Sequence, residues 1–178
     1  NKQFAFGAYK RTQSYFENSE LAARGLPSEA ELKILEPYRG RVPEAVFTQA
    51  FKNPSTDGTG QGVRANLSRA RQLLQEAGWK MKDGVLQKDG QPLKFEFLSY
   101  SETFERWINP WIANLKKLGI QANLRIVDTS QFQNRLNDFD FDMTLSTFGQ
   151  SLSPGNEQRD FWGSDKVDVK GSRNLIGV

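Results

Sequence analysis

The sequence contains no histidine and no cysteine. Without histidine there is no imidazole general base and no Ser-His-Asp triad. Without cysteine there is no thiol nucleophile, disulfide, zinc finger or iron–sulfur cluster. Any catalysis would rest on Asp, Glu, Lys, Tyr, Ser or a hard metal ion. Also missing is any apolar run near the ~18–20 residues that a membrane helix needs, so a membrane-spanning chain is not expected. The start, Asn1-Lys2-Gln3, lacks the basic head, apolar stretch and cleavage site of a signal peptide. A basic patch is absent as well. The chain carries 24 Lys+Arg against 21 Asp+Glu, a net charge of +3. These charges alternate along the chain, as in Lys80-Met81-Lys82-Asp83, rather than gathering into a stripe, so no nucleic-acid partner is expected.

What remains is ordinary globular material. The 178 residues are 37% hydrophobic and 12% aromatic, enough for a core in one large domain or two small ones. Both ends are apolar (residues 4–9 and 175–178), which reads as a piece of a longer protein.

The spacing of local signals places the elements. Residues 9–23 are polar and aromatic, ending at a Gly25 suited to a left-handed cap. Ser28 and Glu31 have capping-box spacing and predict a short helix to about Leu35, closed by Pro37 and Gly40. Residues 43–62 read as irregular. The turn formers of residues 53–62 lack the Gly-Lys-Ser/Thr ending and the preceding strand of a phosphate loop, so a surface loop is expected. Leu67, Ala70, Leu74 and Ala77 recur at helical spacing over residues 64–77, stopped by Gly78, with Trp79 packing back. Asp83-Gly84 and Asp89-Gly90 are turn signals for a small edge hairpin.

From residue 93 the pattern alternates between strand and helix. Strands are predicted at residues 93–98, 120–128 and 139–146. Helices are predicted at residues 105–118 and, capped by Thr129 or Ser130, through Leu136. Strand, helix, strand, helix, strand at this spacing indicates an α/β crossover fold with parallel pairing.

Three constellations carry possible chemistry. Asp138, Asp140 and Asp142 alternate along the third predicted strand, where one face could gather them for a divalent cation or a carboxylate-dependent hydrolase. The plainer reading puts Phe139, Phe141, Met143 and Leu145 inward and the acids in water. Trp107 and Trp111, one helical turn apart, could line a groove but more often form helix core. Third, the segment from Phe148 to Ser164 follows the last strand, at the carboxyl ends of parallel strands where α/β folds place ligands. A strand-to-helix connection with Pro154 opening a helical turn is the simpler alternative there.

Along these segments the chain resembles the bacterial extracellular solute-binding proteins of family 5, the peptide/nickel/dipeptide class that serves ABC importers, particularly the branch linked to peptide and microcin C uptake. The resemblance runs through Arg11-Thr12-Gln13-Ser14-Tyr15-Phe16-Glu17-Asn18, Leu35-Glu36-Pro37, Ala77-Gly78-Trp79, Phe104-Glu105-Arg106, Leu118-Gly119-Ile120, Gln133-Asn134-Arg135-Leu136, Phe139-Asp140-Phe141-Asp142-Met143 and residues 149–160. It implies one lobe of a type II periplasmic-binding-protein clamshell, an α/β lobe with a mixed, mostly parallel sheet flanked by helices. On that pattern residues 1–62 form a helical and irregular segment, residues 63–164 the lobe, and residues 165–178 the start of the return to the rest of the protein.

The resemblance further implies binding without catalysis and without a cofactor. The ligand is a peptide or peptide-like solute, held in the periplasm between two lobes and passed to ABC permease subunits. Phe148 takes the place of an aromatic residue that lines the ligand in many peptide-binding members. Gly149, Gln150, Ser151 and Ser153 complete the candidate ligand-binding set. Where those members carry an Asp that pairs with the peptide's amino terminus, this sequence has Gln150 or Ser151, so the usual charge clamp is missing from that place.

Overall fold

The structure is a computed structural model and describes residues 5–56 and 58–177. Asn1–Phe4 and Val178, parts of the two apolar ends, and Asp57, in the turn-rich run, lie outside the described residues. The chain divides into two units, Asn1–Ser55 and Thr56–Val178.

The first unit is built from short local motifs. Helix α1 (Glu29–Leu35) has the expected capping box: the Ser28 hydroxyl accepts from the Glu31 amide, and the Glu31 carboxylate accepts from the Ser28 amide at 2.7 Å. A 3₁₀ turn, Glu36–Tyr38, with Pro37 inside its start, ends it. Residues 14–22 form successive turns. Glu17 holds them together, accepting from the amides of Gln13 (2.8 Å) and Ser14 (3.1 Å) and pairing with Arg24 at 2.7 Å. Gly25 adopts φ +90°, as its place in the sequence predicts, but it closes a turn and not a helix. The expectation of irregular chain over residues 43–62 is corrected at two points. A single turn, α2 (Ala45–Thr48), interrupts it, and α3 of the second unit begins inside it.

Helix α3 (Gly60–Glu76) starts four residues earlier than the apolar periodicity indicates. Thr59 is extended, and its hydroxyl accepts from the Gly62 amide at 3.0 Å, so this cap draws the glycines into the first turn. Its Leu67, Ala70 and Leu74 pack with Trp79 on a core of Leu86, Leu118 and Ile120. Strands β1 (Lys80–Lys82), β2 (Val85–Lys88) and β3 (Gln91–Pro92) form an antiparallel meander. Both of its turns place Asp and Gly in the left-handed region, Asp83-Gly84 at φ 49° and 78° and Asp89-Gly90 at 52° and 78°. This backbone suits two-residue hairpins.

The second sheet is parallel, with β4 (Lys94–Ser99) between β5 (Gln121–Ile126) and β6 (Met143–Thr144). Helix α4 (Glu105–Lys116) connects β4 to β5, and α5 (Thr129–Asn137) connects β5 to β6. The carboxyl end of central β4 is covered on both faces: Phe97, Leu98 and Ser99 are all buried. Leu98 packs with Val127 and Phe132, supported by Leu136 and Phe141. Trp111 packs on Phe95 and Phe97, so it belongs to the core, as the plainer reading holds.

Two local expectations fail here. Asp128, not Thr129 or Ser130, caps α5. It leaves the strand in an extended conformation and its carboxylate accepts from the Gln131 amide at 2.9 Å. The third strand shrinks from residues 139–146 to Met143–Thr144. Its expected first residues are spent ending α5: Phe139 is left-handed at φ 55°, the Phe139 amide donates to Leu136 and the Asp140 amide to Arg135. This is a Schellman-type closure, and it takes precedence over the alternating pattern.

Beyond β6, α6 (Asn156–Trp162) and a 3₁₀ turn, Ser164–Lys166, lead into a pinned tail. Asn174 is buried, donates to the Gly163 carbonyl at 3.1 Å and accepts from the Gly177 amide at 3.1 Å. The Gly171 amide donates to Asn137 at the end of α5.

Candidate functional site

Parallel strands aim their carboxyl ends at one edge of the sheet, and there the chain leaves β4 and β6 in separate loops. The Ser99 hydroxyl, at the end of β4, closes a tight turn with the Ser101 backbone at 3.1–3.2 Å. This turn presents Tyr100, which is half exposed. Its ring packs on Phe132 (4.9 Å) and Phe104 (6.1 Å), and Phe104 continues to Trp107 at 5.6 Å. Trp107 thus belongs to an aromatic row at the strand ends, whereas Trp111, one turn further along α4, is core. The sequence reading misses Tyr100, Phe104 and Phe132. The one available signal is that Tyr100 directly follows the central strand.

Phe148, beyond β6, is half-buried. It stacks on Trp162 (5.1 Å, 28° between planes) and meets Phe161 edge-on at 5.2 Å. Phe161 is fully buried, and Arg173 covers its ring at 4.3 Å. A cavity of about 160 Å³ lies beside this cluster, lined among others by Leu136, Asn137, Ser146, Phe148 and Arg173.

The remaining predicted residues form one polar loop. Gln150 donates to the Phe148 carbonyl at 3.3 Å and accepts from the Gln158 side chain. The Ser151 hydroxyl lies within hydrogen-bond reach of both the Ser153 carbonyl and, at 2.8 Å, the Glu157 carboxylate, with one proton to give, and the Gly155 amide donates to the same Glu157 oxygen at 3.0 Å. With the Gly155 amide first and the Ser151 hydroxyl next, these bonds hold the Glu157 carboxyl down at about 2. Ser153 is exposed, and Gly149 has open space where a side chain would begin. Leu152, at the loop's tip, is 88% exposed. The helical turn expected to open at Pro154 begins instead at Asn156, with Gly155 as its N-cap. No local signal in the sequence singles out Glu157 within the segment from Phe148 to Ser164.

The aspartate constellation does not assemble. With residues 138–140 turned into the end of α5, no strand face remains for the three acids to share. Asp138 pairs with Lys170 at 2.7 Å and Asp140 with Arg135 at 2.9 Å, while Asp142 accepts from the Glu96 amide at 2.8 Å. Arg135 also reaches Glu96 at 2.9 Å, tying the entry of β6 to β4. Met143 and Leu145, expected inward, are 39% and 45% exposed. Among the described residues no cluster of acidic side chains is arranged to hold a metal ion. No helix there is long and apolar enough to cross a membrane.

Comparison with known proteins places this architecture. The chain is 45% identical over its whole length to the probable peptide-binding protein YejA of Agrobacterium fabrum, and 37% identical to the peptidoglycan-binding protein YepA of the same organism. It spans 29% of the length of each. Among solved structures, the oligopeptide-binding protein AppA of Bacillus subtilis, in complex with a nonapeptide, matches 61% of the chain and 22% of its own. Its TM-score is 0.53 and its identity 31%. A periplasmic oligopeptide-binding protein of Thermotoga maritima, bound to mannohexaose, shares the fold with a TM-score of 0.51 at 22% identity, covering 63% of this chain and 22% of its own. These relatives bear the names of binding proteins, not enzymes, and the α/β unit with its parallel sheet is part of a lobe of a type II periplasmic binding protein. The family model for the middle region of the bacterial extracellular solute-binding proteins, family 5, matches residues 3–168, and the chain belongs to that family.

Proposed function

We propose that this chain is part of the substrate-binding component of a bacterial ABC importer, that its ligand is a peptide or peptide-like solute, and that the loop from Phe148 to Ser153 lines one side of the ligand cleft. In this reading the complete protein is two-lobed and periplasmic. The ligand is enclosed between lobes and handed to the permease without chemical change, and residues 165–178 begin the return to the rest of the protein. The observation that carries the reading is the stacking of Phe148 on Trp162 beyond the end of a parallel strand. Half-buried Trp162 and fully buried Phe161 together fix the ring that would serve as the ligand's wall. The peptide-binding name of YejA and the nonapeptide held by AppA support peptides as the cargo class. Open space at Gly149 admits a ligand backbone, and Ser153, facing solvent, offers a hydroxyl.

The test is recovery of the full-length protein from cells, mass spectrometry of whatever it carries, and calorimetry with the identified compound. Peptides or peptidoglycan-derived peptides are the expected cargo. Phe148→Ala in that protein is expected to weaken binding about 10- to 100-fold, the size of a lost aromatic anchor, with the lobe still folded although its unfolding midpoint falls as the ring contacts are lost. An unchanged affinity removes Phe148 from the cleft, and a protein that consumes its ligand refutes the receptor reading.

A further inference from the structure

Among the described residues of the second unit, Tyr100 is the one aromatic side chain left exposed, at 48%. Every other described ring there is buried or half-buried. The chain reaches this ring directly from the buried end of the central strand, since Leu98 and Ser99 are both buried. The turn is locked on each side. The Ser99 hydroxyl donates to the Ser101 carbonyl at 3.1 Å and accepts from the Ser101 amide at 3.2 Å, and the Ser101 hydroxyl accepts from the Thr103 amide at 3.3 Å. The ring itself rests on buried Phe132 at 4.9 Å and meets Phe104 edge-on at 6.1 Å. A ring held in this way has little conformational freedom left to lose when a ligand covers its open side.

Helix α5 relates this ring to Phe148. Its Phe132 backs Tyr100. Its Leu136, one turn further on and packed in the same cluster as Phe132, lines the cavity that Phe148 also lines. Four residues of helix rise about 6 Å. In an extended peptide, side chains on one face recur at every second residue, about 6.6 Å apart. The two rings are carried by loops that leave adjacent strands, β4 and β6, at the same edge of the sheet.

We propose that Tyr100 is a second wall of the ligand cleft, and that Tyr100 and Phe148 each receive one of two alternate apolar side chains of an extended peptide. This rests on the reading that the loop after β6 lines a peptide cleft. To that reading it adds a residue from a separate loop and a spacing rule for the cargo. Side chains on neighbouring residues, or on residues three apart, leave an extended backbone on opposite faces, so only one of them can meet a ring.

The experiment reads the spacing directly. The full-length protein is titrated by calorimetry with four alanine-based pentapeptides. One is all alanine, and three carry two phenylalanines that are neighbours, separated by one alanine, or separated by two. Wild type is expected to bind the peptide with one intervening alanine about tenfold more tightly than the other two pairs, the factor of one added aromatic contact. Tyr100→Ala is expected to bring all three pairs to the weaker level while the all-alanine peptide binds as before. Tyr100→Phe, which keeps the ring and its packing on Phe132, is expected to keep the preference. Equal affinity of wild type for the three pairs leaves the peptide reading standing and overturns the second wall. So does a preference that survives in Tyr100→Ala, or a Tyr100→Ala protein that binds all four peptides more weakly by one factor, the mark of a ring that only holds the turn. Binding of none of the four by wild type refutes the peptide reading itself and the second wall with it.

Discussion

The two units of the chain obey the same local rules and reach different ends. In the first, among the described residues, no side chain is buried. Ile34, Phe51, Tyr9 and Leu26 are 55–69% exposed. In the second, Leu98 is fully buried, and Leu86, Phe97, Ile108, Leu118 and Phe161 are nearly so. The first unit has a complete capping box, a left-handed glycine and a salt-bridged turn, and still assembles no core. The second has a shorter third strand than its pattern promises, yet closes around β4. Caps and turns need only neighbours in sequence. A core needs apolar faces that topology brings together, and the β4-α4-β5-α5-β6 order does that in one unit alone.

Substitutions sharpen the contrast. The largest effect is expected for Leu98→Ala, which empties a fully buried site in the second unit and should cost about 2–5 kcal/mol in denaturant unfolding. Its counterpart Ile34→Ala, 69% exposed in the first unit, should stay within about 0.5 kcal/mol. Similar losses for the two would break the comparison. Gly119→Ala comes next, at about 1–3 kcal/mol by thermal unfolding. The residue is at φ +77°, and a Cβ would meet the Met81 tip at 2.7 Å and the Leu86 amide nitrogen at 2.9 Å, where backbone cannot yield.

Ser28→Ala should cost α1 about 1 kcal/mol, seen as faster amide exchange over Glu29–Leu35 with the second unit unaffected. Loss of protection in both units would show them to be coupled.

The smallest effect is set by pH. Glu17 is lowered from 4.5 to about 2, first by its bond to Arg24 and next by that to the Gln13 amide. Its contribution is therefore full above about 4.5 and fades as pH falls toward 2. Amide shifts of Gln13 and Ser14 should follow that lower midpoint. A midpoint near 4.5 would mean that the contact does not form in solution.

Much of the second unit can be read from the sequence. The alternation of residues 93–98 and 120–128 marks β4 and β5, and the Asp-Gly pairs mark the meander turns, because period-two burial and left-handed turns leave direct marks on residue choice. The ends of α3 and α5 and the length of β6 are not legible. Thr59 and Asp128 act through side-chain caps that neighbouring Thr and Ser residues could equally have made, and Phe139 takes a left-handed conformation that its residue type does not signal. The candidate site divides in the same way. The place of the loop follows from element order, and Phe148 from the family pattern. Its stacking on Trp162, the turn that presents Tyr100 and the reach of Glu157 to Ser151 each join residues that no periodicity links.

Taken by itself, the sequence determines the absence of imidazole and thiol chemistry, the helical and extended segments, and the family. It leaves open which of its acids stand together. Only the tertiary structure scatters Asp138, Asp140 and Asp142 into separate contacts and turns Glu157 back onto the loop. Charge and spacing are properties of the chain. Whether two charged groups meet depends on where helices end, and that is settled by backbone hydrogen bonding and packing over distances the local pattern does not record.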